Sequence, residues 1–304
     1  MSKNNTPHDK VLDFRVIEKP LDEALEALKN LIDREWPKQL DKNPGARALF
    51  LTMIKVAINT YQSVRFLVAD SPKEREAPLE FALSIPPLTR SILEQLLAVT
   101  FLAEDLATRT QWYYKAGWRE AKEAYERYRA KYGENREWAN WLELNGKFLE
   151  NIRTTWGVSD EEAADLRRIR YWPIPSKMKD QAKDRAFLEY LDAWFYRTLS
   201  QDAHLSFPGL AHRGAALLLG PGEERTAQLE KRKSNAVFTT ITMVLALASE
   251  MEHLLQFGLG ERLAYVWGVL IEYWEEAADL YRLRYATLLK EETKVKCREK
   301  WEGG

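Results

Sequence analysis

The chain carries one pairing of side chains suited to phosphate chemistry. Ala186, Tyr190, Ala193, Arg197, Ser200 and His204 recur at three- and four-residue steps, which places them on one face of a helix. Arg197 offers a planar fork of donors that matches a phosphate, and His204 titrates near neutral pH. Together they could hold a phosphodiester and move a proton. A second polar pair, Arg90 and Glu94, lies one turn apart among Leu88, Ile92, Leu93, Leu96, Leu97, Val99 and Phe101. Charges in such apolar company persist when paired and hydrogen-bonded, so a buried or half-buried ion pair is expected. Tyr196 and Ser200 join the set as supporting polar residues. The same residues admit a structural reading, in which Arg90 and Glu94 form a core salt bridge and His204 is a core histidine bonded to Ser200 or Glu94.

Other constellations point less sharply. Arg167, Arg168 and Arg170, with Lys177, Lys179, Lys183 and Arg185 behind them, outnumber Asp180 and Asp184 and form a local basic stretch. Such a patch could contact phosphates, or it could be a solvated helix end and loop. Tyr114, Trp118, Tyr125, Tyr128 and Tyr132 make one helical stripe. Basic residues are interleaved, but one-turn partners such as Glu123 to Arg127 and Lys122 to Glu126 favour a core stripe with a solvated face. Glu250 and His253 have the spacing found in di-iron bundles, yet none of His8, His204 and His212 has a glutamate three residues before it, so no metal or cofactor is expected. Gly220-Pro221-Gly222 lacks the rest of a phosphate loop, and no nucleophile elbow is present.

These residues need helices to position them. Apolar residues recur at helical spacing along nearly the whole chain, with little strict alternation, so an all-α fold is expected: an elongated bundle of about nine to ten helices. The expected helices run over roughly 21–39, 46–69, 87–104, 108–132, 136–156, a short one opening at Ser159, then 179–205, 226–257 and 261–292. Proline is harmless in the first turn at Pro87. Ser159 and Glu162 have capping-box spacing. The stretch Phe207–Glu224 stays open between a short strand with a turn and a helix end. No internal repeat or low-complexity linker divides the chain. A single assembly over 1–304 is the simplest expectation, with tails at 1–19 and 293–304 and a motif-bearing core at 79–257.

Composition narrows the function classes. With 45% hydrophobic and 30% charged residues, the chain has the balance of a folded protein. Its 45 basic and 46 acidic residues nearly cancel, which argues against a protein that coats nucleic acid or an anionic membrane by bulk charge. One cysteine, Cys297, excludes a disulfide framework or a thiolate metal site. The polar start, Met1–Lys10, and an apolar stretch at Ala236–Ala248 that is too short to span point to a cytoplasmic protein with no membrane partner.

Two segments carry a resemblance. Pro87-Leu88-Thr89-Arg90-Ser91-Ile92-Leu93-Glu94 with Phe101-Leu102, and Tyr196-Arg197-Thr198-Leu199-Ser200-Gln201-Asp202-Ala203-His204-Leu205-Ser206, resemble two helices of a bacterial domain-of-unknown-function family numbered 5677. No activity comes with that likeness. More broadly the chain is similar to the HEPN superfamily of helical bundles, whose ribonuclease members use an arginine followed at short spacing by a histidine. Arg197 and His204, with six residues between them, fit that spacing, although Thr198 stands where active members usually carry Asn, Asp or His. This resemblance implies a HEPN-like core, a homodimer, and binding of RNA or another phosphate ligand. It also implies metal-independent RNA cleavage by Arg197 and His204 in a defence or toxin-like setting. The alternative is a non-catalytic helical interaction module with a structural Arg/Glu/Ser/His polar core.

Overall fold

A computed structural model of the chain describes residues 15–34, 44–68, 78–203 and 222–289, with isolated positions between 211 and 220. His8, His204, His212, Cys297, the 293–304 tail and most of Phe207–Gly222 lie outside the described residues. Those described are helical almost throughout and include no strand. The protein is all-α. The chain divides into two compact units, one of Met1–Thr100 with Lys183–Gly304 and one of Phe101–Ala182.

The first unit is organised by a helix that solvent does not reach. Helices α1 (Arg15–Arg34), α2 (Pro44–Val68) and α3 (Ile85–Ala103) come first, with a 3-10 turn at Leu79–Ser84 before α3. After the second unit come α8 (Arg185–Leu191), a π turn at Asp192–Tyr196 and α9 (Arg197–Ala203). The unit closes with α10 (Glu223–Leu255), α11 (Gly260–Ile271), α12 (Glu275–Leu280) and a second π turn at Tyr281–Tyr285. Helix α10 packs against α2, the 3-10 turn, α11 and α1, and every residue from Thr240 to Glu252 is buried. By length and composition α10 could cross a membrane, and 78% of its apolar window is buried inside the fold.

Each polar side chain along that buried run makes at least one hydrogen bond, although Glu252 Oε2 accepts none among the described residues. The Thr240 hydroxyl lies 2.6 Å from that of Thr89 on α3, and Trp267 Nε1 donates to Ser249 Oγ at 3.0 Å. Glu252 Oε1 accepts from the backbone N–H groups of Gly258 and Leu259, closing the turn into α11. Glu250 takes both Nε and a terminal nitrogen of Arg284, the latter at 2.8 Å. Arg284 also reaches Asp184 and lies over the Phe187 ring, 4.5 Å from its centroid. Burial opposes the charge on Arg284, but its bonds to Glu250 and the field of the surrounding carboxylates outweigh that and raise its pKa above the ordinary arginine value.

Several boundaries differ from the sequence expectation. Helix α1 begins at Arg15 rather than Leu21 and carries Pro20 inside it; the burial of Ile17 together with Leu21 draws this first stretch in. The helix expected from Lys179 starts at Arg185, because Asp184 accepts from Phe187 N at 3.2 Å and so caps it there. The expected 261–292 helix is broken at Tyr273-Trp274, where both backbone N–H groups turn back to Leu270 O and the Trp274 ring stacks on Phe238 at 5.2 Å.

The second unit is a helical hairpin with a capped turn folded against it. Helices α4 (Leu106–Tyr132) and α5 (Arg136–Thr155) pack together, followed by α6 (Asp160–Ala164) and α7 (Pro175–Met178). Trp118, Leu149, Val158 and Ile169 form its core, with Tyr125, Trp156 and Leu166 around them. The aromatic stripe is thus core at its start. At its far end Tyr128 and Tyr132 meet Trp138 and Trp141, with Tyr132 and Trp138 stacked at 4.3 Å. Lys122 pairs with Glu126 as expected, whereas Glu123 pairs backward with Arg119 rather than forward with Arg127. The capping box at Ser159 is present in both directions, and its Glu162 also takes Lys115 Nζ at 2.7 and 2.8 Å.

Two outcomes follow. Arg284→Met leaves Glu250 buried without its partner and costs about 3–5 kcal/mol in denaturant unfolding; an unchanged midpoint would refute the network. Burial alone would raise the Glu162 carboxyl, but Lys115 and the Ser159 backbone outweigh it and hold its pKa below 4.5. Its contribution is therefore full above the unfolded value and lost as pH falls through the folded one. The stability advantage of wild type over Glu162→Gln should shrink on acidification from neutral pH into the carboxylate range.

Candidate functional site

Of the candidate residues of the first unit, Arg90, Glu94 and Tyr196 come together where α3 meets the helix formed by α8, the π turn and α9, while Arg197 points to solvent. Helix α3 is buried along most of its length, with Thr89, Ile92, Leu93, Leu96, Leu97 and Val99 all in the core. Arg90 lies at its margin. Its Nε donates to Glu94 Oε1 at 3.0 Å, and a terminal nitrogen donates to Tyr196 Oη at 3.1 Å. The guanidinium also sits over the Tyr196 ring, 5.1 Å from its centroid. With side-chain exposures of 19% for Arg90 and 43% for Glu94, the pair is half-buried rather than sealed. The two motif helices thus touch, and Tyr196 makes the junction. Ser200 Oγ is buried and meets no hydrogen-bond partner among the described residues. The structural reading of His204, bonded to Ser200 or Glu94, falls outside the described residues with His204 itself.

The π turn decides how Arg197 is presented. Its backbone N–H bonds to Asp192 O, five residues back, so the helix holds one extra residue there and its register slips. In an α-helix, residues five apart diverge around the axis; here the slip brings Asp192 beneath Arg197. The Asp192 carboxylate, 3% exposed, stands 3.6 Å from an Arg197 nitrogen, while Arg197 is 67% exposed. Leu188, Leu191, Phe195 and Leu199 face the core, and Ala186, Ala193 and Arg197 face solvent, with Tyr190 half-buried. The small-residue seam is therefore open in the single chain. Burial raises the pKa of Tyr190, and Asp279 and Glu276 add to the rise.

Asp192 is the residue that sequence reasoning missed. A readable signal existed: it is a carboxylate on the apolar face defined by Leu188, Leu191, Phe195 and Leu199. Asp202, also buried, shares that face. An acid on a core face needs a partner, and only the π register reveals that Arg197 is one.

The basic candidates belong to the second unit. Arg167 pairs with Asp165 at 2.8 Å, and Arg168 with Glu161 at 2.8 Å. Arg170 donates to Gln181 Oε1 at 3.2 Å and lies over Trp112, 4.5 Å from the ring centroid. All three are exposed. Among the described residues no group of three or more His, Cys, Asp or Glu side chains gathers to hold a metal ion, and Glu250 is engaged by Arg284.

The Arg90–Tyr196 junction can be measured. A double-mutant cycle with Arg90→Met and Tyr196→Phe should return a coupling of about 0.5–1.5 kcal/mol in unfolding free energy; additive losses would mean that the two helices do not depend on this bond.

No curated protein and no solved structure matches the chain. Residues 47–215, more than half of its length and inclusive of α3, the whole second unit and the Arg197 helix, match the model of a family of unknown function, DUF5677. The chain belongs to that family.

Proposed function

We propose that this is a HEPN-like cytoplasmic protein that binds RNA or another phosphate ligand as a homodimer. In this reading it cleaves RNA without a metal through Arg197 and His204. The observation that carries the reading is the presentation of Arg197. An arginine fork stands in solvent on an open seam, anchored from below by a buried carboxylate across a π turn. A guanidinium placed this way can meet a phosphodiester without unburying, and its ion pair with Asp192 leaves donors free. His204, seven positions on, would supply the proton transfer. A second arginine-bearing surface, Arg167, Arg168 and Arg170, would add phosphate contacts. The open seam of Ala186 and Ala193 admits the close approach of a second helix, which supports pairing of two copies.

A second reading rests on the Arg90–Glu94–Tyr196 contacts, which spend their polarity on each other: a non-catalytic interaction module with a structural polar core. Arg197 separates the two readings, since the module reading leaves it an ordinary surface arginine paired with Asp192 and the first reading needs it at the phosphate.

The test is incubation of pure protein with mixed RNA and mixed DNA in excess chelator. RNA should be cut and DNA spared, because the ribose hydroxyl is the nucleophile. Arg197→Ala and His204→Ala should each lower the rate by about 10²-fold or more, while Glu94→Ala acts on stability. A metal requirement, cleavage of DNA, or unchanged rates in both variants leaves the module reading. Light scattering at high concentration should return a dimer; a monomer counts against pairing.

A further inference from the structure

Tyr171 is an exposed tyrosine held rigidly, and that combination asks for an explanation. The Arg119 guanidinium lies against one face of its ring, 3.6 Å from the centroid. The phenol donates to the Glu123 carboxylate, with oxygens at 2.8 and 3.0 Å. The same carboxylate takes Arg119 Nε at 2.8 Å, and Arg119 also donates to Ile169 O. Arginine, carboxylate and tyrosine thus close a ring of contacts anchored on α4 and on the backbone beside Tyr171. Hydrogen bonds from Arg119 and Tyr171 keep the Glu123 carboxyl below its usual pKa, so the clamp stays charged at neutral pH. Yet the tyrosine is 51% exposed. With one face covered by a guanidinium, that exposure belongs to the other face and the edge.

We propose that the free face of Tyr171 is a stacking platform for one base of a single-stranded RNA whose phosphates are taken by Arg167, Arg168 and Arg170. This rests on the RNA reading above and assigns it a contact residue. A pre-immobilised aromatic face loses little freedom when a base stacks on it, and stacking tolerates every base because each has a π-face. Arg119 beneath the ring fixes its tilt. The three arginines fall within the four residues preceding Tyr171. The present partners of Arg167 and Arg168, Asp165 and Glu161, are surface acids in weak, screened pairs that a phosphate can displace, and Arg170 is held only by the neutral Gln181 side chain and the Trp112 ring. Arg170, its guanidinium 4.5 Å from the Trp112 ring centroid, is exposed and adds a third cation next to Tyr171 in the chain. The surrounding unit has no strong charge of its own, so selectivity for single strands comes from the base contact rather than from bulk attraction.

The experiment uses the full chain and an end-labelled single-stranded RNA with methylated 2′-hydroxyls, which can bind without being cut. Tyr171→Ala should weaken binding by about tenfold or more, and Tyr171→Leu, which keeps bulk without a π-face, should weaken it likewise. Tyr171→Trp and Tyr171→Phe should bind nearly as wild type, the latter having lost the Glu123 bond but not the ring. Arg167→Ala should lower the slope of log affinity against log salt by about 0.7, whereas Tyr171→Ala should leave that slope unchanged. Far-UV circular dichroism of each variant checks the fold. If wild type binds RNA and Tyr171→Ala and Tyr171→Leu bind equally well, the platform is wrong and the RNA reading stands. If wild type does not bind single-stranded RNA at all, both fall together.

Discussion

A carboxylate placed in the middle of a helix that is buried on all sides has to be answered from another element, and in the first unit that answer sets the architecture. Glu250 sits within the stretch of α10 that solvent does not touch, and Arg284 is drawn in to meet it. The chain breaks at Tyr273-Trp274, and the turn that carries the arginine is a π turn. Once there, the guanidinium has donors to spare, and one goes to Asp184. Asp184 is also the cap of α8. The point at which the Arg197 helix starts is thus coupled, through one arginine, to a buried acid on α10. Phe187 and Tyr285 add the apolar part of the same joint, edge to face at 6.1 Å.

Much of this was legible from the sequence, and the parts that were not share one cause. Helix identity follows from periodicity, so α2 to α5, α10 and the capping box at Ser159 emerge from residue types alone. The Arg90–Glu94 pair was legible because it is local, one turn apart on an apolar helix. Non-local answers were not. Nothing in the spacing says that Glu250 belongs to Arg284, that Asp184 would stop the expected helix short of Lys179, or that Glu123 would choose Arg119 and Tyr171 over Arg127. The Glu250–Arg284 and Glu123–Tyr171 contacts depend on which element lies opposite, which only tertiary packing decides, whereas the Asp184 cap and the Glu123–Arg119 pair are local choices among equally spaced alternatives. The two π turns form a second class of illegible feature. A single extra residue in a turn leaves the pattern of apolar positions nearly intact, while it changes which polar side chains become neighbours.

That second class matters for the site. A face argument at three- and four-residue steps put Ala193 and Arg197 together and left Asp192 aside. The π register keeps the exposed character of Ala186, Ala193 and Arg197 and brings Asp192 underneath. Ala186, Ala193 and Arg197 remain a solvent-facing surface, but its electrostatics change, because the arginine now stands beside a buried carboxylate.

The consequence for phosphate chemistry depends on magnitudes. An exposed guanidinium held 3.6 Å from one carboxylate has five donors in its fork, and a single partner at that distance leaves most of them unspent. A phosphodiester approaching from solvent would form shorter, charge-assisted bonds to the donors that Asp192 leaves unspent. The cost of the acid is a weaker net field at the phosphate. Asp192 keeps the guanidinium near the π turn by charge alone, since at 3.6 Å the contact is an ion pair rather than a hydrogen bond. Arg90 is in the opposite condition. Its donors go to Glu94 and Tyr196 and its face lies over a ring, so a ligand would have to break a half-buried network to reach it. Of the two arginines that the sequence singles out in this unit, the geometry equips Arg90 to hold the helices together and leaves Arg197 equipped to meet an anion.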